Sequence, residues 1–308
     1  MRDVPLVTIA FPLYRSSSFV ENIAANIERL TYPHLEILIS DRHLLDDALD
    51  ELERRYAADE RVRILRQPDG ADWVTHYNDL LRQARGAFLC WMPHDDEFAR
   101  GYIDALAGAL AADSSAVIAF GVMNSENCGR TPIGTRFTPP PVSHGRQWSP
   151  TEAVRLHLDW ALACLMRGLV RREPVLGAGL LVPRTYQLVF ADACWVFAVV
   201  LSGRALFVPA ARCSKRFYAS GVSAGWHFGV REALSEWHTM SRALWQSAHP
   251  RRTVWPAVAV LTYVAAIRLI WRAGRQVIGR SGRRITDRAR AMALRPIRWV
   301  IDTPSRRH

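Results

Sequence analysis

The chain has 308 residues, of which 49% are hydrophobic and 22% charged, so it is long enough for one large domain or two smaller ones, and its composition excludes a disordered protein. Its five cysteines are scattered and never spaced as C-x-x-C, so we expect reduced thiols rather than a zinc or redox site. The formal net charge of +11 comes from residues 251–308, which hold 14 Arg and two Asp, while the rest of the chain is close to neutral. Met1 to Pro5 lead directly into the first predicted strand, so we expect no signal peptide and a cytoplasmic location.

The first half of the chain alternates strand-like and helix-like segments. Strands are predicted at Val7–Phe11, Leu35–Ile39, Val62–Leu65, Phe88–Met92 and Ala116–Val122. The helices predicted between them are Phe19–Leu30, Asp46–Ala58, Trp73–Ala84 and Gly101–Ala112. Such alternation predicts parallel βαβ units in an open α/β sheet.

The second half has a less regular pattern. A long loop is predicted at Asn127–Pro150, followed by helical spacing at Thr151–Gly168, Tyr186–Leu201 and Arg231–Gln246. Short strands are predicted at Gly177–Val182 and Ala205–Pro209, and a polar loop at Phe217–Trp226. We expect residues 1–246 to form one domain, and residues 247–308 to form an apolar helix with an Arg-rich helical tail.

Acidic residues follow two of the predicted parallel strands. Asp41 comes after the second strand, and Asp95 and Asp96 come after the fourth. Ligands of open α/β sheets bind beyond the carboxyl ends of the strands, where these acids would meet. Carboxylates suit Mg²⁺, which proteins often hold through one or two of them together with substrate phosphates. The alternative is a solvated turn, since adjacent acids are common in loops.

Asp192 is a lone acid within the apolar predicted helix Tyr186–Leu201. It is either exposed on one helix face, paired with an Arg, or buried as a general base, in which case burial would raise its pKa towards a useful value. It is the only acid between Glu173 and Glu232, so this region offers no substitute for it.

The basic tail has three possible partners. Residues 254–267 carry no charge, but these 14 residues fall short of the roughly 18 that a membrane span needs. An apolar helix followed by Arg at helical spacing suits the anionic surface of a membrane. The alternatives are packing on the preceding domain and binding of nucleic acid, and for the latter the tail has no recognisable motif.

Three segments resemble the glycosyltransferases of family 2, which have the GT-A fold. "VTIAFPLYRSSSFVENIAANI" is similar to their first strand and helix, and "TYPHLEILISD" to their second strand with its terminal Asp. "HYNDLLRQARGAFLCWMPHDDEF" is similar to their Asn-bearing helix, Ala-x-Gly turn and Asp-x-Asp strand end. The resemblance implies a GT-A-like open, mostly parallel sheet flanked by helices, to which this chain adds the basic helical C-terminal tail.

The resemblance also implies the transfer of a sugar from a nucleotide-diphosphate sugar, with inversion at the anomeric carbon. In that case Pro12, Tyr14 and Asp41 would border the nucleotide. Asp95 would approach the ribose or the metal, and Asp96 would hold the metal, which would be Mn²⁺ or Mg²⁺. The expected partners are the sugar donor, a saccharide or lipid-linked acceptor from cell-surface polysaccharide synthesis, and an anionic membrane on whose inner face the protein is peripheral.

The chain departs from the family pattern at several positions. Asp192 matches the base of the family, but Ala191 precedes it where a Glu is usual, and Arg15 follows Tyr14 where an Asn is usual. The Asp-Asp-Gly-Ser that often follows the second strand is also replaced, by Ser40 to Leu44. The Gln-x-x-Arg-Trp motif of the processive synthases is missing, which favours transfer of a single sugar.

Two other functions compete with this interpretation. A Rossmann dehydrogenase needs G-x-G-x-x-G after its first strand, and the turn from Pro12 to Ser16 has no glycine. An inactive GT-A-like binding module would keep the fold and use its basic tail to dock on membrane or nucleic acid.

Overall fold

The computed structural model describes residues 4–41, 46–67, 71–128, 136–137, 149, 152–153, 162–218, 229–248, 255–277 and 292–293. Its strands are β1 Val7–Leu13, β2 Leu35–Asp41, β3 Val62–Arg66, β4 Phe88–Trp91, β5 Glu97–Phe98, β6 Ala116–Cys128, β7 Arg136–Phe137, β8 Leu169–Arg171 and β9 Arg204–Tyr218. Its α-helices are α1 Val20–Glu28, α2 Ala48–Arg55, α3 Trp73–Gln83, α4 Tyr102–Ala112, α5 Arg172–Gly177, α6 Ala191–Ser202, α7 Val230–Ala248 and α8 Trp255–Val277. Short 3₁₀ helices lie at Ser17–Phe19 and Leu162–Arg167.

All of these strands belong to one sheet, in the order β3-β2-β1-β4-β8-β6-β9-β5, with β7 paired to β6. The run β3-β2-β1-β4 is parallel, as is the pair β6–β9. β8 is antiparallel to both of its neighbours, and β5 and β7 pair antiparallel with β9 and β6. The predicted open α/β sheet is therefore confirmed, with antiparallel strands added beyond β4.

Burial explains why the parallel strands are continuous apolar runs. Every residue of β1, β2 and β4 is buried, which is the pattern of parallel strands covered on both faces. β3 is the edge strand, and its residues are only partly buried or exposed. The five strands predicted in this half are confirmed, and the four helices predicted between them form with shorter ends.

The chain divides into two compact units. The first comprises residues 1–148, 164–182 and 199–220, and the second comprises residues 149–163, 183–198 and 221–308. The sheet belongs to the first unit, whereas α7, α8 and residues 191–198 of α6 belong to the second. The predicted boundary at residue 246 stays a prediction.

The prediction was wrong at several points of the second half. The strand predicted at Gly177–Val182 does not form; α5 ends at Gly177, and the following residues pair with no strand among the described parts of the chain. The prediction missed β8, because three residues are too few to show a period. The helix predicted from Tyr186 begins only at Ala191. β9 extends to Tyr218, well past the Pro209 that was predicted to end it, because it pairs with β6 along most of its length.

Several predicted segments lie outside the described residues. They are most of the predicted loops, part of the helix Thr151–Gly168 and most of the basic tail, within residues 138–148, 154–161, 219–228 and most of 278–308.

A buried polar network fixes the amino ends of the central strands. Glu36 at the start of β2 accepts hydrogen bonds from the Thr8 hydroxyl at 2.6 Å, the Arg85 N–H at 2.8 Å and the Arg63 guanidinium at 2.8 Å. Burial alone would raise the pKa of Glu36, but these hydrogen bonds together hold it below its ordinary value. The Gly86 N–H in turn donates to Thr8 Oγ1 at 2.9 Å.

Gly86 is required by this close approach. A Cβ at this position would lie 2.5 Å from the Thr8 nitrogen and 2.7 Å from the Phe88 oxygen, both of them backbone atoms that cannot move aside. We expect Gly86→Ala to destabilise the protein by about 1–3 kcal/mol, the usual cost of overpacking. The matched control is Gly108→Ala in α4, where a Cβ meets nothing within 4 Å. This substitution replaces a glycine within a helix. It should raise stability by up to about 1 kcal/mol. Urea unfolding of both variants measures the difference, and equal stabilities would contradict the steric argument.

Candidate active site

The acids predicted at the strand ends lie at one edge of the sheet. Asp41 is the last residue of β2 and pairs in register with Leu13, the last residue of β1. β4 lies on the other side of β1, and the Met92 N–H donates to Ala10 O at 2.8 Å just before the chain turns away. Asp95 and Asp96 follow in that turn. The parallel arrangement therefore places all three acids at the carboxyl edge, as predicted.

Asp96 is fully buried, and the protein itself contacts both of its carboxylate oxygens. Oδ2 accepts a hydrogen bond from Arg167 Nε at 2.8 Å in a buried ion pair, and Oδ1 accepts one from the Arg216 backbone N–H at 3.3 Å. The Asp96 carbonyl oxygen accepts two more, from Asn22 Nδ2 at 2.9 Å and Asn26 Nδ2 at 3.0 Å. Asp96 therefore joins α1, the acidic turn, the 3₁₀ helix at Leu162–Arg167 and β9.

Asp95 has a different environment. It is only partly buried, whereas Asp96 is shielded from solvent. Burial raises the pKa of Asp95, the charge of Asp96 raises it further, and His94, Lys215 and Arg167 act in the opposite direction. Of the two adjacent acids, Asp95 is the one with access to solvent and hence to a ligand.

His94 connects the acidic turn to the loop after β1. Its Nδ1 lies 2.7 Å from the Ser16 hydroxyl, and its ring stacks on Phe19 with centroids 4.6 Å apart. The His94 carbonyl oxygen accepts a hydrogen bond from Asn22 Nδ2 at 2.7 Å. Burial lowers the pKa of His94, although Asp95 and the other nearby carboxylates, including Asp41, act in the opposite direction. His94 thus joins the turn that holds Asp95 and Asp96 to the loop after β1.

The residues predicted to border the nucleotide lie at the same edge. Pro12 is buried within β1, and Tyr14 is partly exposed just beyond it, with its N–H donating to Ser16 Oγ at 3.0 Å. Arg15 is exposed and has a left-handed backbone, with φ of 51°, a conformation that is uncommon outside glycine. Its guanidinium lies 5.5 Å from the centre of the Tyr14 ring. The nucleotide-binding roles of Pro12, Tyr14 and Asp41 stay predictions.

Asp192 lies in the second unit, in the first turn of α6. It is partly buried, and its Oδ1 accepts a hydrogen bond from the Ala193 N–H at 2.8 Å. A carboxylate at a helix N-terminus interacts favourably with the helix dipole, so a structural role is also consistent with this position. The role of Asp192 as general base stays a prediction.

The sequence did not point to several residues of this site. Four residues that contact Asp96 lie 70 to 120 positions away from it along the chain, namely Arg167, Arg216, Asn22 and Asn26. The hydrophobic periodicity of a segment gives no information about contacts with residues so far away along the chain. The only available signal was chemical, because a buried Asp needs a buried cation, and Arg167 follows an apolar segment.

The described residues do not form a preformed metal cage. They contain no group of three or more His, Cys, Asp or Glu side chains that would hold an ion. Asp95 contributes one carboxylate, which fits the binding mode in which Mg²⁺ is shared between one protein carboxylate and substrate phosphates.

Comparison with known proteins decides the family. The sequence profile of glycosyl transferase family 2 matches residues 8–175, more than half of the chain. The chain belongs to glycosyl transferase family 2. The match covers the acidic turn and, from Thr8 onwards, the parallel run β3-β2-β1-β4, and it confirms the resemblance found in the three sequence segments.

Three named proteins are distant relatives of this chain. The putative teichuronic acid biosynthesis glycosyltransferase TuaG of Bacillus subtilis is 23% identical over 100 residues, which are 32% of this chain and 40% of TuaG. The uncharacterized glycosyltransferase EpsJ of the same organism is 23% identical over 174 residues, 55% of this chain and 49% of EpsJ. Chondroitin synthase of Escherichia coli is 30% identical over 96 residues, 31% of this chain and 14% of the synthase. The matched region thus spans less than half the length of each relative.

Solved structures confirm the GT-A-like fold. The S. aureus TarS fragment 1–349 in complex with UDP-GlcNAc superposes with a TM-score of 0.57 at 14% identity, covering 96% of this chain and 90% of the fragment. The mannosyltransferase PcManGT of Pyrobaculum calidifontis, in complex with GDP-Man and Mn²⁺, has a TM-score of 0.54 at 16% identity, covering 98% of this chain and 89% of PcManGT.

The contrast between the two adjacent acids of this family 2 protein is testable. Asp96→Ala removes the carboxylate that pairs with the buried Arg167 guanidinium, so we expect a loss of about 3–5 kcal/mol in unfolding free energy. Asp95→Ala, the matched control one position away, removes a partly exposed acid and should leave stability within about 0.5 kcal/mol. Chemical denaturation measures both. If Asp96→Ala melts normally, Asp96 has no structural role and the metal role predicted from the sequence becomes the stronger one.

Proposed function

We propose that the protein transfers a single sugar from a nucleotide-diphosphate sugar to an acceptor hydroxyl, with inversion and with the help of a divalent cation. The observation that carries this proposal is the position of Asp95, a partly exposed acid, at the same carboxyl edge of a family 2 sheet as Asp41 and Tyr14. Open α/β sheets bind their ligands at this edge.

The donor side of the reaction would be built from the first unit. Tyr14 and Pro12 would border the base and ribose, and Asp41 would accept hydrogen bonds from the nucleotide. The complexes of TarS with UDP-GlcNAc and of PcManGT with GDP-Man show that proteins of this fold take either uridine or guanosine donors. The departures at Arg15 and after Asp41 leave the donor base of this protein to experiment.

The cation is proposed to bind between Asp95 and the diphosphate. When bound, it would neutralise the charge that develops on the departing diphosphate. Asp96 would contribute to cation binding indirectly. Its pairing with Arg167 fixes the acidic turn, and its negative charge still acts on Asp95. We therefore assign contact with the metal to Asp95 rather than to Asp96.

The acceptor hydroxyl needs a base, and Asp192 is our candidate. An inverting transfer is a single displacement, so one group must take the proton of the hydroxyl as the new bond forms. The absence of the Gln-x-x-Arg-Trp motif of processive synthases supports transfer of one sugar per encounter. TuaG is named for teichuronic acid biosynthesis, which supports a saccharide acceptor from cell-surface polymer synthesis.

The donor proposal is tested by calorimetric titration of UDP and GDP with and without Mn²⁺. We expect one of the two to bind with an affinity that depends on the metal, and Asp95→Asn to lose that dependence. The control variant Asp79→Asn removes an acid of α3 that pairs on the surface with Arg82, and it should bind as the wild type does. Equal affinities with and without Mn²⁺ would refute the role of the cation.

The same titration has an expected pH dependence. Only a deprotonated carboxylate binds a metal, and burial raises the pKa of Asp95 above the ordinary value of about 3.9. Metal-dependent nucleotide affinity should therefore be full at neutral pH and fall as the pH drops, with a midpoint above that of an ordinary aspartate. Circular dichroism at each pH controls for unfolding. A midpoint at or below the ordinary value would contradict the assignment to Asp95.

The base is tested with Asp192→Asn, which keeps the shape of the side chain and removes its basicity. Positioned general bases contribute about 10²- to 10⁴-fold in rate, so we expect turnover to fall by that factor while donor affinity stays nearly unchanged. If Asp192 only stabilises the start of α6, the variant will melt at a slightly different temperature but keep near-normal turnover, and another base must be sought.

A further inference from the structure

The second unit contains two long helices that pack against each other, α7 and α8. Buried alanine, leucine, valine and methionine side chains line the inner faces of the pair, among them Met240, Leu244, Leu261 and Val264. The Trp237 indole N–H donates to the Thr262 carbonyl oxygen at 2.9 Å and joins the two helices directly. Buried side chains and the Trp237 hydrogen bond therefore hold the pair together.

Those outward-facing side chains include an unusual number of large apolar residues. Each is between 36 and 65% exposed: Val230, Leu234, Trp237 and Trp245 on α7, and Trp255, Tyr263 and Ile270 on α8. At 100° per residue, the members on each helix fall on one face. We call these seven residues the exposed seam. The two helices thus carry seven large apolar side chains that are each at least one-third exposed.

A groove of about 260 Å³ runs between the helices within the exposed seam. Every residue that lines it is apolar, including Leu234 and Trp237 of α7 and Leu269 and Ile270 of α8. An apolar groove of this kind, open to water, is unfavourable unless something covers it.

Charge indicates what covers it. Arg231 and Arg242 are exposed on α7, on the face next to the seam, and residues 251–308 carry a net charge of +12 in the sequence. A second copy of this chain would bring two such tails together, and their like charges would repel. An anionic bilayer attracts the same charge, and Trp and Tyr are the residues that favour its interface.

We propose that the exposed seam of α7 and α8 is a lipid-docking surface that inserts into the interfacial region of an anionic bilayer. Among the described residues, no helix combines the length and apolar character needed to cross a membrane. In this proposal the pair lies in the plane of the surface, as helices with one apolar face do. The basic tail predicted from the sequence would supply long-range attraction, and the seam would supply an apolar contact that salt does not screen. The inference does not depend on the sugar-transfer chemistry.

The experiment is flotation of the full-length protein with vesicles of phosphatidylcholine containing phosphatidylglycerol, at low and at high salt. The test variant is Leu234→Ser/Ile270→Ser, which withdraws two seam side chains that are 52 and 61% exposed. The matched control is Val4→Ser/Tyr186→Ser, which withdraws two residues that are 48 and 53% exposed and lie outside the two helices. Because all four side chains are exposed, the melting temperatures should stay close to that of the wild type.

We expect the wild type and the control variant to float with anionic vesicles and to remain partly bound at high salt. The seam variant should bind more weakly by about tenfold for each large side chain removed, and most clearly at high salt. Binding that the seam substitutions leave unchanged, or that salt abolishes completely in the wild type, would overturn the proposal in favour of the tail alone.

Three further results would also overturn it. A wild-type chain that fails to float would show that the seam is covered by another part of the protein. A wild-type dimer that the seam substitutions convert to a monomer, by size-exclusion chromatography with light scattering, would assign the seam to a second copy. Equal binding to vesicles without phosphatidylglycerol would remove the electrostatic argument. Calorimetric nucleotide binding is independent of each result, so failure here is distinguishable from failure of the proposed transferase function.

Discussion

The buried ion pair of Asp96 and Arg167 is the interaction on which the candidate site depends. A carboxylate that is 1% exposed and a guanidinium that is 12% exposed are costly to remove from water, and their attraction repays that cost only when the geometry is good and the remaining lone pairs are satisfied. Here the Arg216 N–H satisfies the second oxygen. The Tyr102 hydroxyl and the Cys90 thiol donate hydrogen bonds to the Arg167 carbonyl oxygen, at 2.8 and 3.4 Å. Buried side chains of the core therefore fix the position of Arg167 as well.

This arrangement divides the work between two adjacent acids. If both faced solvent, their charges would repel and each would compete for the same cation. Burial and the ion pair with Arg167 make Asp96 part of the scaffold, and Asp95 remains the more exposed of the two adjacent acids. Around them, Arg216 pairs with Glu97 and with Glu126, the latter at 3.3 Å, and donates to Asn22 at 2.9 Å. These contacts connect β5, β6, β9 and α1, so four elements hold the turn that contains Asp95 in place.

The sequence predicts the parallel half of the sheet well because its signals are local. β1, β2 and β4 are continuous apolar runs separated by helical periods, and the acids at their ends follow from parallel connectivity alone. The second half is decided by contacts that are not local. β8 is three residues long and exists because it fits between β4 and β6. Arg171 at its end donates hydrogen bonds to the carbonyl oxygens of Leu110 in the last turn of α4 and of Asp113 just after it. The partner of Asp96 was hidden for the same reason, since nothing near residue 167 shows which acid it will meet.

Both units contain buried polar atoms that lack a hydrogen-bond partner among the described residues. In the first unit, the Glu36 carboxylate accepts several hydrogen bonds and acts as fixed structure, whereas the buried Tyr56 hydroxyl has no such partner among the described residues. In the second unit, Glu236 is fully buried, and although its Oε2 accepts the Gln187 N–H at 2.5 Å, its Oε1 has no hydrogen-bond partner among the described residues. Thr185 likewise has a buried hydroxyl with no partner among them. A buried polar atom without a partner costs free energy, so it persists only where another requirement outweighs stability. Because such atoms occur in both units, another requirement outweighs stability at more than one place in the molecule and not in one unit alone.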